Sequence, residues 1–599
     1  MAKFRTLVDV YENSIKTYPN NDLFGTKTNG VWVWTTYLEF GKQVDAARAG
    51  LAGLGLKRGD KVAIISNNRV EWAVLAYACY GLGAAFVPMY EAQTPKDWEF
   101  IVNDCSARLL IVATDAICEK VKPFLKGMPS LEHILSLDDA TKEGAKEGGS
   151  VVGYKTLLAT KNKVPSLHPD TNDVASLIYT SGTTGNPKGV KLSHGNLASN
   201  ISAIHEVFPM AASDRSLSFL PWAHVFGQTC ELHALFSMGA SMALAESVDK
   251  IIPNLAETQP TLLISVPRIF NKIYAGVQKT ISEKPGLIQG MVKTALRARA
   301  KQRNKEELEL GEGLVLALTD KLVFSKVRAR FGGRLRYAFS GGAAISKDIA
   351  EFIDGLGITV YEGYGLSETS PIVCGNYPGA HKIGSVGKVI PGIKVEISPE
   401  HEILVRGPNV MLGYHNRPEE NAAVFTEDGA FRTGDMGRID DEGFIYITGR
   451  IKEQYKLENG KYVVPTPLEE QLKLSPYLLN AMVYGDNRPY NVALLVANVA
   501  AVRDWGKDNG VSEPDDEKLL ANPKVRGLFT SQLAKYGEQF KGFEAVKDFA
   551  LVAEDFTAEN GMLTPSLKVK RRAVLAKWQG AIDALYTKKK SKEGESAQA

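Results

Sequence analysis

The chain has 599 residues, so its length predicts several folding units and excludes a small linker or tail protein. It carries 71 lysines and arginines against 68 aspartates and glutamates, a formal net charge of +3. Because the two totals nearly cancel, no overall positive field favours a nucleic acid as partner. The composition is typical of a soluble globular enzyme.

The cysteines and the amino terminus both bear on the cellular compartment. Five cysteines are scattered along the chain without C-x-x-C spacing, which argues against a disulfide framework or a structural zinc site. The opening residues, "MAKFRTLVDVYENS", have no apolar run behind their charges, so no secretory signal is expected and the mature chain is expected to start at or near Met1. A reducing cytoplasm is the predicted setting.

Short apolar runs alternate with longer helical patterns along the chain. The runs that predict strands are 61–66, 108–113, 175–180, 261–266 and 335–340. Their alternation with helices predicts an α/β fold with βαβ units around largely parallel sheets. The pair Thr94-Pro95 predicts a helix start, with an N-cap followed by proline in the first turn. From about Ser385 to Thr448, short strands between Gly, Pro and Asp predict a small antiparallel barrel or sheet.

Two segments raise the question of a membrane. The segment from Trp72 to Tyr90 is uncharged, but it is weakly hydrophobic and broken by Gly81 and Gly83, which favours a buried helix and a short buried strand over a membrane span. The stretch 287–305 is periodic as a helix, with one apolar face and basic residues elsewhere. A solvated basic face is favoured over a membrane-surface contact. The apolar face is predicted to contain Leu287, Ile288, Met291, Val292 and Leu296.

The stretch "IYTSGTTGNPKGV", residues 178–190, follows one of the predicted strands and is rich in glycine and hydroxyl groups. Backbone amides and hydroxyls in such a loop can converge on phosphate oxygens, and a lysine adds charge. The stretch is not a Walker motif, because Pro187 stands where that motif has glycine before Lys188. Taken alone, the loop is also compatible with a flexible spacer.

Five motifs in this order and spacing resemble those of the adenylate-forming superfamily. They are "TSGTTGNPKG" (180–189), "VYEGYGLSET" (360–369), "FRTGD" (431–435), "TGRIKE" (448–453) and "LTPSLKVKR" (563–571). The stretches "FVPMYEAQTP", "LPWAHVFG", "LVFSKVRARFGGRLRYAFSGGAAIS" and "KLENGKYVVPTPLEE" look like the long-chain fatty acyl-CoA synthetases of that superfamily. The resemblance covers nearly the whole chain.

The resemblance implies a division into domains and a reaction. A large N-terminal domain, 1–451, is expected to combine parallel-sheet αβ subdomains with a small β-barrel. A small mobile α+β domain, 452–587, follows it, and the polar residues 588–599 are expected to form a disordered tail. The implied reaction converts a long-chain fatty acid and ATP to acyl-AMP and pyrophosphate, and then uses coenzyme A to form acyl-CoA and AMP.

The same resemblance assigns a nucleotide site with magnesium. Glu368 is expected to bind Mg²⁺, with Thr180 sharing the ion. Ser367 and Thr369 would donate to the α-phosphate, and Tyr364 would lie against adenine. The residues expected at the β- and γ-phosphates are Thr180, Ser181, Gly182, Thr183, Thr184, Gly185 and Lys188. Gly341, Gly342 and Gly363, with the adjoining Glu362, are expected near the base.

Asp435 and Arg450 are the ribose ligands that the resemblance implies, because a carboxylate accepts well from two vicinal hydroxyls. The stretch "GAFRTGD" lacks a tryptophan that many relatives carry, which leaves Asp435 in place. His224 is assigned to the geometry of the acyl site. Gln228 stands where relatives with a gating tryptophan have that residue, so the gating of the acyl tunnel is left open.

Three lysines are assigned to the small domain and its boundary. Lys452 lies at the hinge position of the family, and hinges absorb large backbone changes at few residues. Lys456 and Lys568 would face the active site in different states. Lys568 matches the catalytic lysine of the motif "TPSLK", in which Leu567 replaces the commoner glycine, as in long-chain members.

Other functions stay open at this point. The chain could adenylate a medium-chain or aromatic acid, or load a carrier protein. A nucleotide- or acyl-binding regulator without turnover is the alternative from another class. Retention of the adenylation residues together, Lys568 among them, argues against that regulator. A cytoplasmic location is expected, with peripheral contact to the inner face of a membrane as an alternative.

Overall fold

The computed structural model describes residues 3–138, 150–160, 162–180, 187–557, 559–564 and 568–596, with side chains as far as Thr587. The chain divides into two units. The first comprises Met1–Ile397, Leu404–Thr433 and Ile439–Tyr446, and the second comprises Ser398–Ile403, Gly434–Arg438 and Ile447–Ala599.

Helices occur in both units. In chain order they are α1 Leu7–Thr17, α2 Tyr37–Gly53, α3 Val70–Tyr80, α4 Pro95–Asp104, α5 Asp115–Val121, α6 Phe124–Gly127, α7 Tyr154–Leu158, α8 His194–Val207, α9 Ala234–Ser237, α10 Ile251–Thr258, α11 Pro267–Ser282, α12 Gly286–Arg303, α13 Glu312–Thr319, α14 Ser325–Ala329, α15 Lys347–Gly355, α16 Pro418–Val424, α17 Pro465–Leu472, α18 Val499–Asn509, α19 Asp516–Ala521, α20 Pro523–Gly537 and α21 Arg571–Ser596.

The strands, in chain order, are β1 Asp22–Thr28, β2 Val31–Thr36, β3 Lys61–Ile65, β4 Ala85–Met89, β5 Leu109–Val112, β6 His133–Ser136, β7 Val151–Gly153, β8 Val174–Thr180, β9 Lys188–Ser193, β10 Arg215–Ser218, β11 Ser241–Leu244, β12 Leu262–Ser265, β13 Tyr337–Ser340, β14 Thr359–Gly365, β15 Ile372–Gly375, β16 Lys388–Val389, β17 Lys394–Ile397, β18 Glu402–Arg406, β19 Phe431–Ile439, β20 Ile445–Arg450, β21 Tyr455–Lys456, β22 Tyr462–Val463, β23 Leu478–Tyr484, β24 Asn491–Ala497 and β25 Val546–Val552.

A seven-stranded sheet carries the predicted phosphate loop at one edge. Its strand order is β7-β6-β5-β3-β4-β8-β9. The pairs are parallel as far as β8, and only the last pair, β8 with β9, is antiparallel. The inner strands are buried on both faces, which is why they appear in the sequence as continuous apolar runs. The parallel βαβ arrangement predicted from the sequence is therefore confirmed, and β9 folds back as a hairpin.

The segment from Trp72 to Tyr90 lies inside the core of the first unit. It forms the buried helix α3 and the buried strand β4, as predicted. Helix α4 begins at Pro95 with Thr94 as its N-cap, and the Thr94 hydroxyl accepts from the Asp97 amide. Among the described residues, no helix has both the length and the hydrophobicity to cross a membrane.

A second, five-stranded sheet has the order β12-β13-β14-β15-β16. Its first three strands are parallel, and β15 and β16 continue it antiparallel. Because β13 and β14 are parallel neighbours, the Gly341-Gly342 pair that follows β13 and the residues near Tyr364 at the end of β14 lie at the same edge. This edge collects the nucleotide residues predicted at the ends of β13 and β14 and just after them.

Helix α12 confirms the predicted helix but corrects its buried face. Leu287 is 77% exposed, whereas Val292, Ala295 and Ala298 are buried. Helices α13 and α15 lie against α12. The contact with α15 is close, because a Cβ added at Gly355 would lie 2.5 Å from Cδ2 of Leu296. Periodicity located the helix, but the neighbouring helices decided which of its apolar residues are covered.

The second unit has its own core around the sheet β23-β24-β25, in which every residue of β24 is buried. Strands β21 and β22 form a separate hairpin. Helix α21 continues to Ser596, so within the expected tail, 588–599, the described backbone of 588–596 is helical. Over 385–448 the structure has short strands, as predicted.

Candidate active site

The predicted phosphate loop connects the two strands of the β8–β9 hairpin. Thr180 pairs directly with Lys188 across the antiparallel ladder, so the two residues stand at the two ends of the loop. The Tyr179 hydroxyl donates to Oδ2 of Asp104 at 2.6 Å. Gly189 leaves room for the Tyr179 ring, since an added Cβ would lie 2.9 Å from Cζ of the ring. The residues Ser181, Gly182, Thr183, Thr184 and Gly185 lie outside the described part of the chain.

Glu368 lies in a short 3₁₀ turn, Ser367–Thr369, that follows β14. The turn is closed by Thr369, which is fully buried; its hydroxyl donates to the Pro371 carbonyl at 2.5 Å and accepts from the Leu366 amide at 3.0 Å. Gly365 allows a close backbone approach, because an added Cβ would lie 1.9 Å from the Pro371 oxygen. The turn holds Glu368 partly exposed while its neighbours are buried.

One tyrosine contacts both Glu368 and Lys188. The Tyr414 hydroxyl donates to Oε1 of Glu368 at 2.8 Å. Nζ of Lys188 lies 5.4 Å from the centre of the Tyr414 ring. Lys188 also lies 3.5 Å from Oε1 of Glu420. Sequence reasoning missed Tyr414, because it lies 46 positions after Glu368 and 226 after Lys188, and no motif or periodicity spans those distances.

Phe226 contacts both His224 and the first glycine after β13, the histidine through its backbone amide and the glycine through its ring. The Phe226 amide donates to Nδ1 of His224 at 3.2 Å, so a neutral His224 carries its proton on Nε2. Cζ of Phe226 would lie 3.0 Å from a Cβ added at Gly341. Gly342 has a φ of +80°, which favours glycine there. The predicted acyl-site histidine and one of the predicted base-binding glycines therefore share Phe226 as a neighbour.

Two carboxyls near these residues are buried and hold their protons tightly. Burial raises the pKa of Glu362 to about 8, and the Ile345 amide donates to its Oε1 at 3.2 Å. Burial likewise raises the pKa of Glu231 to about 8, although the hydroxyls of Ser216 and Ser218 donate to it. Glu231 belongs to a buried π-helical segment, Gly227–His233, that also contains Gln228. Within the described residues, neither amide atom of the Gln228 side chain has a hydrogen-bond partner.

The predicted ribose ligands form an ion pair in the second unit. Nε of Arg450 lies 2.9 Å from Oδ1 of Asp435, and the Asp435 side chain is 4% exposed. They were predicted from two separate motifs, and the structure brings them together. Asp435 lies in β19 and Arg450 ends β20.

The lysines of the second unit have a different setting, because all three are exposed. Lys452 lies in the turn after β20, and Lys456 lies in the β21–β22 hairpin with Nζ 5.6 Å from the Tyr462 ring centre. The Lys568 amide donates to Oγ1 of Thr564 at 3.0 Å, and its carbonyl accepts from the Thr564 amide at 2.8 Å.

Comparison with known proteins gives the family. Residues 11–415 match the family described as AMP-binding enzyme, and residues 452–590 match the AMP-binding enzyme C-terminal domain. The chain belongs to the AMP-binding enzyme family. This confirms the superfamily to which the five motifs pointed.

Among curated relatives of this AMP-binding enzyme, long-chain-fatty-acid--CoA ligase FadD15 of Mycobacterium bovis is 34% identical, over 95% of each chain. The peroxisomal long chain acyl-CoA synthetase 7 of Arabidopsis thaliana is 32% identical, over 97% of this chain and 86% of its own. The adenylation domain of a carboxylate reductase from Mycobacterium chelonae has a TM-score of 0.77 at 21% identity, over 97% of this chain and 91% of its own. ATP-bound MatB from Rhodopseudomonas palustris has a TM-score of 0.70 at 21% identity, over 95% of this chain and 99% of its own. The solved structures confirm the fold alone.

The residues of this AMP-binding enzyme fit a magnesium ion that arrives with a nucleotide. No group of three or more His, Cys, Asp or Glu side chains that could hold a metal occurs among the described residues. Magnesium at nucleotide sites needs only one or two carboxylates, with phosphate oxygens and water completing the shell. The Tyr414 hydroxyl donates to Oε1 of Glu368, and the second oxygen of that carboxylate would be the magnesium ligand.

Proposed function

We propose that this AMP-binding enzyme is an ATP-dependent long-chain fatty acid–CoA ligase. The observation that carries the proposal is that Lys188 and Glu368 both contact Tyr414. A cation and a carboxylate are thereby held close together at the end of the predicted phosphate loop. The relatives named as long-chain-fatty-acid--CoA ligases support the class of substrate.

In the first step, a carboxylate oxygen of the fatty acid forms a bond to the α-phosphorus of ATP. The bond from that phosphorus to the pyrophosphate oxygen breaks, and pyrophosphate leaves with the electron pair. Lys188 would bind phosphate oxygens, and Glu368, with Thr180, would hold magnesium, which supplies neutralisation of phosphate charge when bound. The proposed contact of Ser367 and Thr369 with the α-phosphate requires the Thr369 hydroxyl to exchange its present partner.

In the second step, the thiol of coenzyme A loses its proton to water and its sulfur forms a bond to the acyl carbon. The bond from that carbon to the phosphate oxygen breaks, and AMP leaves with the electron pair. The thiol has an ordinary pKa near 8.5, so a modest electrostatic effect suffices to favour the thiolate. We assign His224 to this region. The hydrogen bond from the Phe226 amide to Nδ1 would hold its imidazole ring in place there.

The remaining predicted residues keep their proposed roles. Asp435 and Arg450 would bind the ribose, as their ion pair presents a carboxylate and a guanidinium side by side. Tyr364, with Glu362 and the glycines 341, 342 and 363, would surround the base. Lys568 would serve adenylation and Lys456 would face the active site in a different state, with Lys452 as the hinge between domains 1–451 and 452–587.

We also propose a cytoplasmic location with peripheral membrane contact. The five cysteines are free and buried, which supports a reducing compartment. Leucines at four-residue spacing form an exposed row around α13, and the segment 286–330 has ten lysines and arginines against five carboxylates. An anionic bilayer fits an apolar row with a basic surround. The row consists of Leu310, Leu314, Leu318 and Leu322.

Vesicle sedimentation tests this contact. We expect the protein to sediment with vesicles that contain phosphatidylglycerol and to stay in solution with pure phosphatidylcholine. The double variant Leu314→Glu/Leu318→Glu should stay in solution with both. Val31→Glu, which changes another exposed apolar residue, is the matched control and should behave as wild type. Equal sedimentation of the double variant and the wild type would reject the row as the contact.

The activity itself is tested by pyrophosphate release over acids of graded length, with and without coenzyme A. Each buried methylene contributes about 0.8 kcal/mol, so turnover should rise steeply from octanoate to palmitate and exceed that of acetate and benzoate. A maximum with benzoate or octanoate would favour an aromatic or medium-chain ligase. Activity that requires a carrier protein in place of coenzyme A would favour carrier loading, and nucleotide binding without turnover would favour a regulator.

A further inference from the structure

We propose that Tyr414 is a positioning residue that fixes both ionic groups of the phosphate site. Its hydroxyl orients the Glu368 carboxylate, and its ring supports the Lys188 ammonium group. The inference rests on the proposed function, because it gives a reason for the two side chains to be held at one place.

Tyr414 lies on a connector, residues 409–415, that joins the two motifs through its backbone. On one side, the connector pairs with β9. Tyr414 forms an antiparallel β-bridge with Val190, and the His415 amide donates to the Gly189 carbonyl at 2.7 Å. On the other side, the Met411 amide donates to the Glu368 carbonyl at 2.8 Å. The connector therefore lies between the strand that begins with Lys188 and the turn that carries Glu368.

Side-chain hydrogen bonds secure the same connector to the Glu368 turn. The Asn409 amide group donates to the carbonyls of Thr369 and Ile372, both at 3.1 Å. The Ser370 hydroxyl donates to the Asn409 carbonyl at 2.8 Å. Asn409 and Ser370 are fully buried, and Tyr414 is 8% exposed. With its backbone held on both sides, Tyr414 has little freedom to move away from either partner.

The tyrosine acts differently on its two partners. A hydrogen bond to one carboxylate oxygen fixes the plane of the Glu368 side chain, so its second oxygen keeps a constant direction for a cation. The ring offers the Lys188 ammonium group an attraction that phosphate does not compete for, unlike the carboxylate of Glu420.

Two variants separate these effects. Tyr414→Phe removes the hydroxyl and keeps the ring, while Tyr414→Leu removes both. Calorimetric titration of ATP in the absence of acid, at a series of magnesium concentrations, measures binding independently of turnover. A hydrogen bond to a charged group contributes about 1.5 to 3 kcal/mol, so Tyr414→Phe should raise the magnesium concentration that half-maximally promotes ATP binding about tenfold or more.

The contribution of the Tyr414 ring is measured separately, from the affinity for ATP at saturating magnesium. With magnesium at saturation, Tyr414→Phe should bind ATP within about threefold of wild type. Tyr414→Leu should bind it several-fold more weakly, because a cation–π contact contributes roughly 0.5 to 2 kcal/mol. The matched control is Tyr446→Phe, which removes another hydroxyl that donates to a carboxylate, Oδ2 of Asp440, at 3.1 Å in the same unit. It should leave the magnesium dependence unchanged.

A double-mutant cycle tests whether the hydroxyl acts through Glu368. In a Glu368→Gln background, adding Tyr414→Phe should change ATP binding by less than about twofold, since the charged acceptor is already gone. Equal magnesium dependence of Tyr414→Phe, Tyr446→Phe and wild type, or a full additional loss in the Glu368→Gln background, would overturn the proposal. If wild type binds ATP but turns over no acid, the proposed ligase function fails, while these binding measurements still decide the role of Tyr414.

Discussion

The charged site residues of the first unit are anchored, whereas the lysines of the second unit are exposed. Lys188 and Glu368 both contact the buried Tyr414. Lys452, Lys456 and Lys568 lie on a turn, a short hairpin and a bridge-forming segment, with exposed side chains. Anchored groups are pre-organised for one geometry, and exposed groups on short elements can serve more than one state.

The backbone near one of these exposed lysines is nevertheless tied to the core of its unit. Near Lys568, Nη2 of Arg571 lies 2.6 Å from Oε2 of Glu469, and Glu469 is buried. The Val483 amide donates to the other oxygen of that carboxylate at 2.7 Å. Around Lys568 the fold therefore orders the backbone and leaves the lysine side chain exposed. In the first unit it orders the charged side chains themselves.

The largest expected effect comes from replacing an anchored carboxylate. Glu368→Gln should lower pyrophosphate release on the order of a hundred- to a thousandfold, because an amide is a poorer magnesium ligand and leaves phosphate charge less neutralised. The assay is pyrophosphate release at saturating magnesium. Activity within a few-fold of wild type would show that magnesium is held elsewhere, and that the hydrogen bond from Tyr414 does not mark Glu368 as its ligand.

An exposed lysine should affect one half-reaction only. Lys568→Ala should lower adenylation on the order of a hundredfold, since it removes one donor to developing negative charge. Conversion of preformed acyl-adenylate and coenzyme A to acyl-CoA should stay near wild type. Single-turnover assays of each half-reaction measure the difference. Equal losses in both would contradict a role confined to the first step.

The hinge variant should show the reverse pattern. Lys452→Pro fixes φ and restrains the turn after β20, so thioester formation should fall about tenfold or more while adenylation persists. Lys452→Ala, which keeps backbone freedom, is the control and should retain both steps. Should the proline variant lose adenylation as strongly as thioester formation, Lys452 would not be a hinge that separates them.

The smallest expected effect concerns stability. Burial raises the pKa of Glu231 from an ordinary value of 4.5 to about 8, so the folded state binds the proton more tightly than the unfolded state. The stability contributed by this proton is fully present below about pH 4.5 and is lost as pH rises toward 8. Glu231→Gln should therefore make the fall in Tm between pH 5 and 8 shallower. An unchanged slope in thermal denaturation would contradict the raised pKa.

Local sequence patterns predicted the elements well. The run at 61–66 became β3, and Thr94-Pro95 became the start of α4, because both depend on neighbouring residues only. The motifs also contain the two ends of the predicted phosphate loop and the two members of the Asp435–Arg450 ion pair. Patterns were less reliable on burial, as Leu287 shows, since coverage of a helix face depends on which helices lie beside it.

The sequence by itself determined the α/β class and the superfamily, because those follow from local periodicity and from short motifs, and the same motifs predict the charged groups of the site. Only the tertiary structure showed that β9 returns as a hairpin, that His224 and Gly341 share Phe226 as a neighbour, and that Tyr414 joins Lys188 to Glu368. Such contacts between distant positions depend on strand pairing and packing, which bring together residues whose spacing along the chain carries no periodic signal.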